Sequence, residues 1–364
     1  MLKSNQSIMS RRAALKMGAG FAVGGLAGRG AFAETDISKV TVTGSKEMTS
    51  GARFKRSGKL RIGVSNGFSG NTWRTECMAS LRKEAAKHPE IADLIIVDGQ
   101  GDITKQVNDI QDLIAQRVDA ILCIPNSSTA VAPALARAMR ANIPVIPFNL
   151  DVSGEQWCSY IGTDPFKKGV AWGAFMTKAL DNTGKIVVLG GLPGNSGSAA
   201  VWAGAKTTLG KGIEVLAMKD AYWQEDRAKV VMADLIVAYP QIDGIFCDGG
   251  QDAAGAAKAM LAAGRKLVPI TGDDYNGILK IYDQHHEDNP GLKLGLVSEP
   301  TWESTLAVRT ALKLLAGEDV PKQQIIQPTL IDNANYAQYV KRDLPDGVFV
   351  DTDLTDAELA KIFH

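Results

Sequence analysis

The sequence predicts an α/β fold built on parallel sheets, and three observations predict it. Short continuous apolar runs recur along the chain, amphipathic stretches of helical length separate them, and nearly every run ends in a loop rich in Gly, Asn, Asp or Gln. Strands that are apolar on both faces belong in sheets covered by helices on both sides. With 364 residues, 45% of them hydrophobic and 22% charged, the chain is long enough for two cores, so two domains are expected.

The chain opens with Ser10-Arg-Arg-Ala-Ala-Leu-Lys16, a Gly/Ala-rich stretch from Met17 to Ala27, and Ala31-Phe-Ala33, which has the small-x-small form of a signal-peptidase site. This resembles a twin-arginine export signal. Glycines at 18, 20, 24 and 25 weaken the apolar region and Arg29 lies close to the cleavage site, both of which favour that route over the ordinary secretory one. A membrane anchor would need about 20 predominantly apolar residues. The expectation is therefore a signal peptide over 1–33, a mature chain from Glu34, a periplasmic location, and the twin-arginine translocase as a partner during export. Taking the leader's Lys3, Arg11, Arg12, Lys16 and Arg29 from the 40 basic residues leaves 35 against 40 acidic ones. A net charge of about −5 argues against nucleic acid as a partner, since phosphate neutralisation needs clustered Lys and Arg.

Residues 34–58 are polar, lack periodicity and read as a mobile lead-in. Strand-like runs follow at Leu60–Val64, Leu94–Val97, Ala120–Ile124, Val145–Phe148, Ile186–Leu189, Val215–Met218, Gly244–Cys247 and Val268–Ile270. Helical patterns lie between them at Trp73–Lys87, Thr104–Gln116, Thr129–Arg140, Lys167–Leu180, Arg227–Ala238 and Ala253–Ala263. Ligands of such sheets bind beyond the carboxyl ends of the strands. Most Gly, Asn and Asp residues in the loops there are explained by turn geometry alone. Turn geometry does not explain Phe68, Trp73, Trp157, Trp223 and Trp302 at or beside those loops. Cys77, Cys123, Cys158 and Cys247 match no metal spacing, and Cys123 and Cys247 fall near the ends of buried runs, where a free thiol acts as a small hydrophobe. The expected compartment nevertheless permits disulfides.

The order of segments carries a resemblance. Val97-Asp-Gly-Gln-Gly-Asp102, Gln106, Asp109–Asp112, Val118-Asp-Ala-Ile121 and Pro125 are followed by Asn142-Ile-Pro-Val-Ile146, Tyr160-Ile-Gly-Thr-Asp164, Gly244-Ile-Phe246, Gly255-Ala256 and Leu314-Leu-Ala-Gly-Glu318. Together, from about Lys59 to Pro328, they resemble the ribose-binding-protein family of periplasmic sugar-binding proteins. Each motif alone is weak; the series in order is specific. The resemblance implies two similar doubly wound lobes of the type 1 periplasmic binding fold, joined by a three-segment hinge. It implies an N-terminal lobe of 59–163 plus 274–298, a C-terminal lobe of 164–273 plus 299–320, and a return strand and tail over 321–364. It also implies a monomeric, non-catalytic protein without a cofactor that delivers a ligand to the membrane subunits of an ABC permease.

Residue by residue, Asn66, Phe68 and Trp73 match the family's first ligand loop, where rings meet the C–H faces of a sugar and amides meet its hydroxyls. The residues leave Phe68 and Trp73 open between stacking and packing. Asn149 and Asp151 follow the fourth strand; Asn195 lies in the glycine loop; Trp223, Gln251, Asp274 and Glu299 complete the candidates, with Glu299 open between a ligand contact and a hinge hydrogen bond. Asp102 and Asp252 are equally placed to cap helices. Three departures bear on the ligand: Asn149-Leu150 replaces an Asp-Arg pair, Ala199-Ala-Val-Trp-Ala203 lacks the family's Arg, and Gly249-Gly250 replaces an Asn-Asp pair. A sugar, polyol or related polyhydroxylated compound is expected, and ribose itself is not.

Other chemistry is disfavoured. Gly190-Gly-Leu-Pro-Gly-Asn-Ser-Gly-Ser198 lacks the Gly-Lys-Ser/Thr of a phosphate loop and the glycine spacings of a dinucleotide fingerprint or nucleophile elbow. His285 and His286 are adjacent and diverge in direction, and His88 and His364 stand apart, so neither a catalytic base nor a metal site is expected. The competing readings are a periplasmic ligand sensor for a membrane kinase or chemoreceptor and, more remotely, an exported hydrolase.

Overall fold

The structure is a computed structural model describing residues 35–363. The expected signal peptide over residues 1–33, Glu34 and His364 lie outside the described residues. The lead-in, expected to be mobile, is ordered: it forms β1 (Val42–Gly44) and β2 (Met48–Thr49) and buries Phe54 completely. These strands pair antiparallel with residues 324–326 and 320–321. Their periodicity is invisible because each is only two or three residues long and its partner lies far along the chain.

The expected alternation then follows. β3 (Leu60–Asn66), α1 (Thr72–Ala85), β4 (Ile91–Asp98), α2 (Ile103–Ala115), β5 (Ala120–Ile124), α3 (Ala132–Arg140) and β6 (Val145–Pro147) build a parallel sheet in the order β4-β3-β5-β6. All five residues of β5 are buried, as a central parallel strand requires. Beyond β7 (Tyr160–Gly162) come α4 (Pro165–Ala179), β8 (Thr183–Gly190), α5 (Ser196–Thr208), β9 (Gly212–Asp220), α6 (Glu225–Ala238), β10 (Gly244–Cys247), α7 (Gly250–Ala262), β11 (Ile270–Gly272), α8 (Asn276–His285) and β12 (Leu294–Val297). The chain ends with α9 (Glu303–Ala316), β13 (Val320–Pro321), β14 (Gln323–Ile326), β15 (Leu330–Asp332) and α10 (Asp356–Ile362). The second sheet has the order β15-β12-β11-β10-β8-β9, parallel except for β15 at its edge. In its core, Trp172 and Trp202 meet Phe246 edge-on, with centroids 6.0 and 5.4 Å away. Cys77, Cys123, Cys158 and Cys247 are all buried free thiols.

The lobe boundaries differ from the expectation after residue 273. Residues 274–298 stay with the second sheet, because β12 pairs in parallel with β11 and α8 packs on α7. Residues 303–316 return to the first lobe, where α9 packs on α1, β5 and β6. The exchange has a simple cause. Leu294–Val297, broken by Gly295, is a further strand of the second sheet, so the chain completes one more β-α-β unit before crossing. The crossings therefore lie between β6 and α4, at Ser298–Trp302, and between β14 and β15.

Candidate functional site

At the hinge side of the cleft, side chains from both lobes line a small cavity of about 70 Å³ that is partly open to solvent. The first wall comes from the start of α1. Asn71 caps that helix by accepting the Arg74 N–H at 3.0 Å, which turns Trp73 and Arg74 toward the cleft. Trp73 donates its indole N–H to the Glu299 carbonyl at 2.8 Å. Arg74, 5% exposed, donates from Nη1 to Asn66 Oδ1 at 2.9 Å, and Asn66 Nδ2 donates to Ser69 Oγ at 2.8 Å. Burial disfavours the Arg74 charge, yet guanidinium stays protonated in proteins. Its guanidinium also lines the cavity.

The crossings form the floor. Asn149 has φ +63°, a left-handed conformation that Asn tolerates better than most residues. Its Nδ2 donates to Glu299 Oε1 at 2.6 Å and to Glu303 Oε1 at 2.9 Å, while its backbone N–H reaches Glu303 Oε2 at 3.1 Å. Lys168 of α4 donates to Asp273 Oδ1 at 3.0 Å and to Glu299 Oε2. Burial alone would lower the Lys168 pKa, but Asp273 and Glu299 outweigh it and raise it. Burial also pushes Asp273 up to about 7, with Lys168 opposing. Burial raises Glu303 well above the usual carboxylate range.

The second wall comes from the ends of β9 and β10. Tyr222 and Trp223 both have positive φ, +65° and +52°, which turns the Trp223 indole into the cleft. Its Nε1 donates to Asp248 Oδ1 at 2.9 Å. A methyl group on Gly191 would lie 2.1 Å from the indole, and one on Gly249 2.5 Å from it. Gly249, read from sequence as a lost polar anchor, is instead the room that an aromatic ring occupies. Gln251 and Ser198 complete this wall, and Phe349 enters from the C-terminal tail. Across the mouth, Gln224 Nε2 donates to the Gly70 carbonyl at 2.9 Å, so the lobes are closed on one another.

Of the residues expected at the site, Trp73, Asn149, Trp223, Gln251 and Glu299 line this space together. The others are placed elsewhere. Asn66 stands behind Arg74. Phe68 lies against its own loop at Gly70. Asp102 caps α2 by accepting the Lys105 N–H at 2.9 Å. Asp151 is exposed in a separate groove beside Trp157. Asn195 caps α5, its Oδ1 accepting from Gly197 and Ser198 at 2.8 and 3.2 Å. Asp274 spends both oxygens on the backbone N–H groups of Glu299 and Asp351, at 2.8 and 2.7 Å. Asp252 is not a cap: it is fully buried in the first turn of α7, and burial beside Asp248 and Asp273 holds its pKa well above normal against a hydrogen bond from the Gln224 backbone. Sequence reasoning missed Arg74, Lys168, Asp248, Asp273 and Phe349. For Asp273 the signal was present, since it is the other half of the Asp273-Asp274 pair.

A family profile described as periplasmic binding protein domain matches residues 62–319. The chain is 28% identical over 267 residues to the ribose import binding protein of Bacillus subtilis, covering 72% of this chain and 84% of that one. It is 30% identical over 251 residues to the xylitol-binding protein of Mycolicibacterium smegmatis, covering 67% and 70%. Among solved structures it is similar to an ABC transporter solute binding protein from Mycobacterium smegmatis with bound glycerol, at a TM-score of 0.70 and 25% identity, covering 79% of this chain and 98% of that one.

Proposed function

The chain belongs to the periplasmic binding protein family, and from that premise we propose that it is the substrate-binding component of an ABC importer, taking a sugar, polyol or related polyhydroxylated compound into the cleft and presenting it to the permease. One observation carries the reading: two indoles from opposite lobes, Trp73 and Trp223, border a space whose polar lining offers donors from Arg74 and acceptors from Asp248. Apolar C–H faces lie on rings while hydroxyls need both donors and acceptors. The two rings stand on opposite lobes, so a ligand meets both of them only when the lobes are closed. A ligand that touches both lobes only when they are closed shifts the open–closed equilibrium toward the closed form, and that closed form is what a permease would read. The protein acts as a monomer in the periplasm, reached through its twin-arginine leader, and performs no catalysis.

The test is thermal stabilisation against ribose, xylitol, glycerol, myo-inositol and a wider set of pentoses, hexoses, sugar acids and alditols, since a ligand of the native state raises its melting temperature by mass action. A selective shift that is lost in Asn149→Ala supports the reading. No shift with any carbohydrate removes it and leaves the fold intact.

A further inference from the structure

The family profile stops at residue 319, yet part of the cavity wall comes from beyond it. After β15 the chain runs back over the hinge as a strap, residues 333–363, and brings Phe349 into the lining. The ring is 1% exposed and sits edge-on to Tyr275, with centroids 5.6 Å apart. Buried carboxylates fix the strap on either side of it. Glu76 of α1, in the first lobe, accepts the Phe349 N–H at 2.7 Å. Asp274, at the end of the second sheet, accepts the Asp351 N–H at 2.7 Å. Asp351 in turn accepts from Trp302 Nε1 at 2.7 Å and from Ser298 Oγ at 2.8 Å, tying the strap to the second crossing. Both lobes and the hinge therefore hold the chain within two residues of this ring. A surface tail needs no such anchoring.

We infer that Phe349 is a specificity-determining residue of the cleft and that the strap exists in part to position it. The inference rests on the carbohydrate reading above and deepens it. An aromatic ring accepts the C–H face of a cyclic polyol when the hydroxyls project sideways. An axial hydroxyl aimed at the ring is stranded against apolar surface, unable to hydrogen-bond. Phe349 thus discriminates between epimers alongside the polar groups of the cavity.

Two variants of the full chain test this. In Phe349→Leu the apolar volume is largely kept and the flat face is lost, and binding is titrated against epimer sets: ribose, arabinose and xylose; glucose, galactose and allose; myo- and scyllo-inositol. The relative affinities within a set should change by about tenfold, the scale of one aromatic contact. A uniform loss across a set, or no change, overturns the inference, because a merely structural role would not alter the ranking. In Phe349→Cys the new thiol is treated with methyl methanethiosulfonate while the four native cysteines stay buried. Losing the ring opens the space it fills, 1% exposed in the native chain, to the cavity it lines, so the thiol should be modified in the native chain, and more slowly with whichever carbohydrate raises the wild-type melting temperature. An unmodified thiol, or modification indifferent to a saturating ligand, also overturns it. If no carbohydrate stabilises the wild type, the functional reading fails by itself, and modification of the Phe349→Cys thiol still decides whether the strap faces the cavity.

Discussion

Trp223 donates its indole N–H to Asp248 at 2.9 Å, and the ring fills the space that a side chain on Gly191 or Gly249 would need. The two glycines and the positive φ at Trp223 are thus one device for holding an aromatic face against the cleft. Gly249→Ala should displace the ring. The overpacking costs about 1–3 kcal/mol of stability, and affinity for the ligand should fall by about tenfold or more, read by titration calorimetry. Unchanged affinity with a shifted tryptophan emission would mean that the ring is not part of the binding surface.

Asn149 is predicted to matter twice, once through its amide and once through its backbone. Its Nδ2 serves both Glu299 and Glu303, so truncation takes one hydrogen bond from each of two buried acids while Lys168 and the Asn149 backbone N–H still hold them, a loss of about 1–3 kcal/mol. Its φ of +63° adds about 1 kcal/mol of strain for Ala but almost none for Gly. Asn149→Ala should therefore be less stable than Asn149→Gly in urea denaturation, with both below wild type. Equal midpoints for the two variants would show that backbone strain contributes nothing.

The parts of the fold visible in the sequence are those whose period is local. Ala120–Ile124 reads as a buried strand because all five residues are apolar, and Asp102 is placed to cap the amphipathic stretch that follows it. What was hidden depends on direction or distance. Arg74 and Lys168 look like ordinary helix-surface cations, since Thr75 and Lys167 beside them are polar too, and nothing local marks which one turns inward. Asp273 and Asp274 are consecutive, so their side chains leave the backbone in different directions: one faces the cavity and the other clamps the hinge. Leu294–Val297 is interrupted by Gly295, and missing that strand moved α8 and α9 into the wrong lobes. Phe349 reaches the site from a tail with no apolar period of its own.

The proposed twin-arginine leader predicts that Arg11→Lys together with Arg12→Lys leaves the precursor unprocessed in the cytoplasm, because a pair of guanidinium groups, not charge alone, distinguishes such a signal. Cell fractionation and the mass of the mature protein check this. A processed protein beginning at Glu34 in the double variant would assign export to the general secretory route instead.

The acids around Lys168 predict a particular pH dependence. Burial pushes Asp273 up to about 7 against Lys168, whereas an unfolded Asp titrates near 3.9. A carboxyl whose folded pKa is raised binds a proton more readily in the folded state, so the stability it contributes is fully present below about 4 and is lost as pH rises through about 7. Burial raises Glu303 and Asp252 in the same direction. Glu84 runs the other way: despite its burial, hydrogen bonds from Arg309, Lys87 and His88 hold it at about 2, so its contribution is present above about 4.5 and lost only in acid. It does not cancel the first effect near neutrality. The ligand-free protein should melt at a higher temperature at pH 5 than at pH 8. Each proton released on unfolding or retained on folding changes stability by up to about 1.4 kcal/mol per pH unit, so Asp273→Asn should visibly flatten the profile. A melting temperature that rises from pH 5 to pH 8, or an unaltered slope in Asp273→Asn, would mean that Asp273 stays ionised beside Lys168.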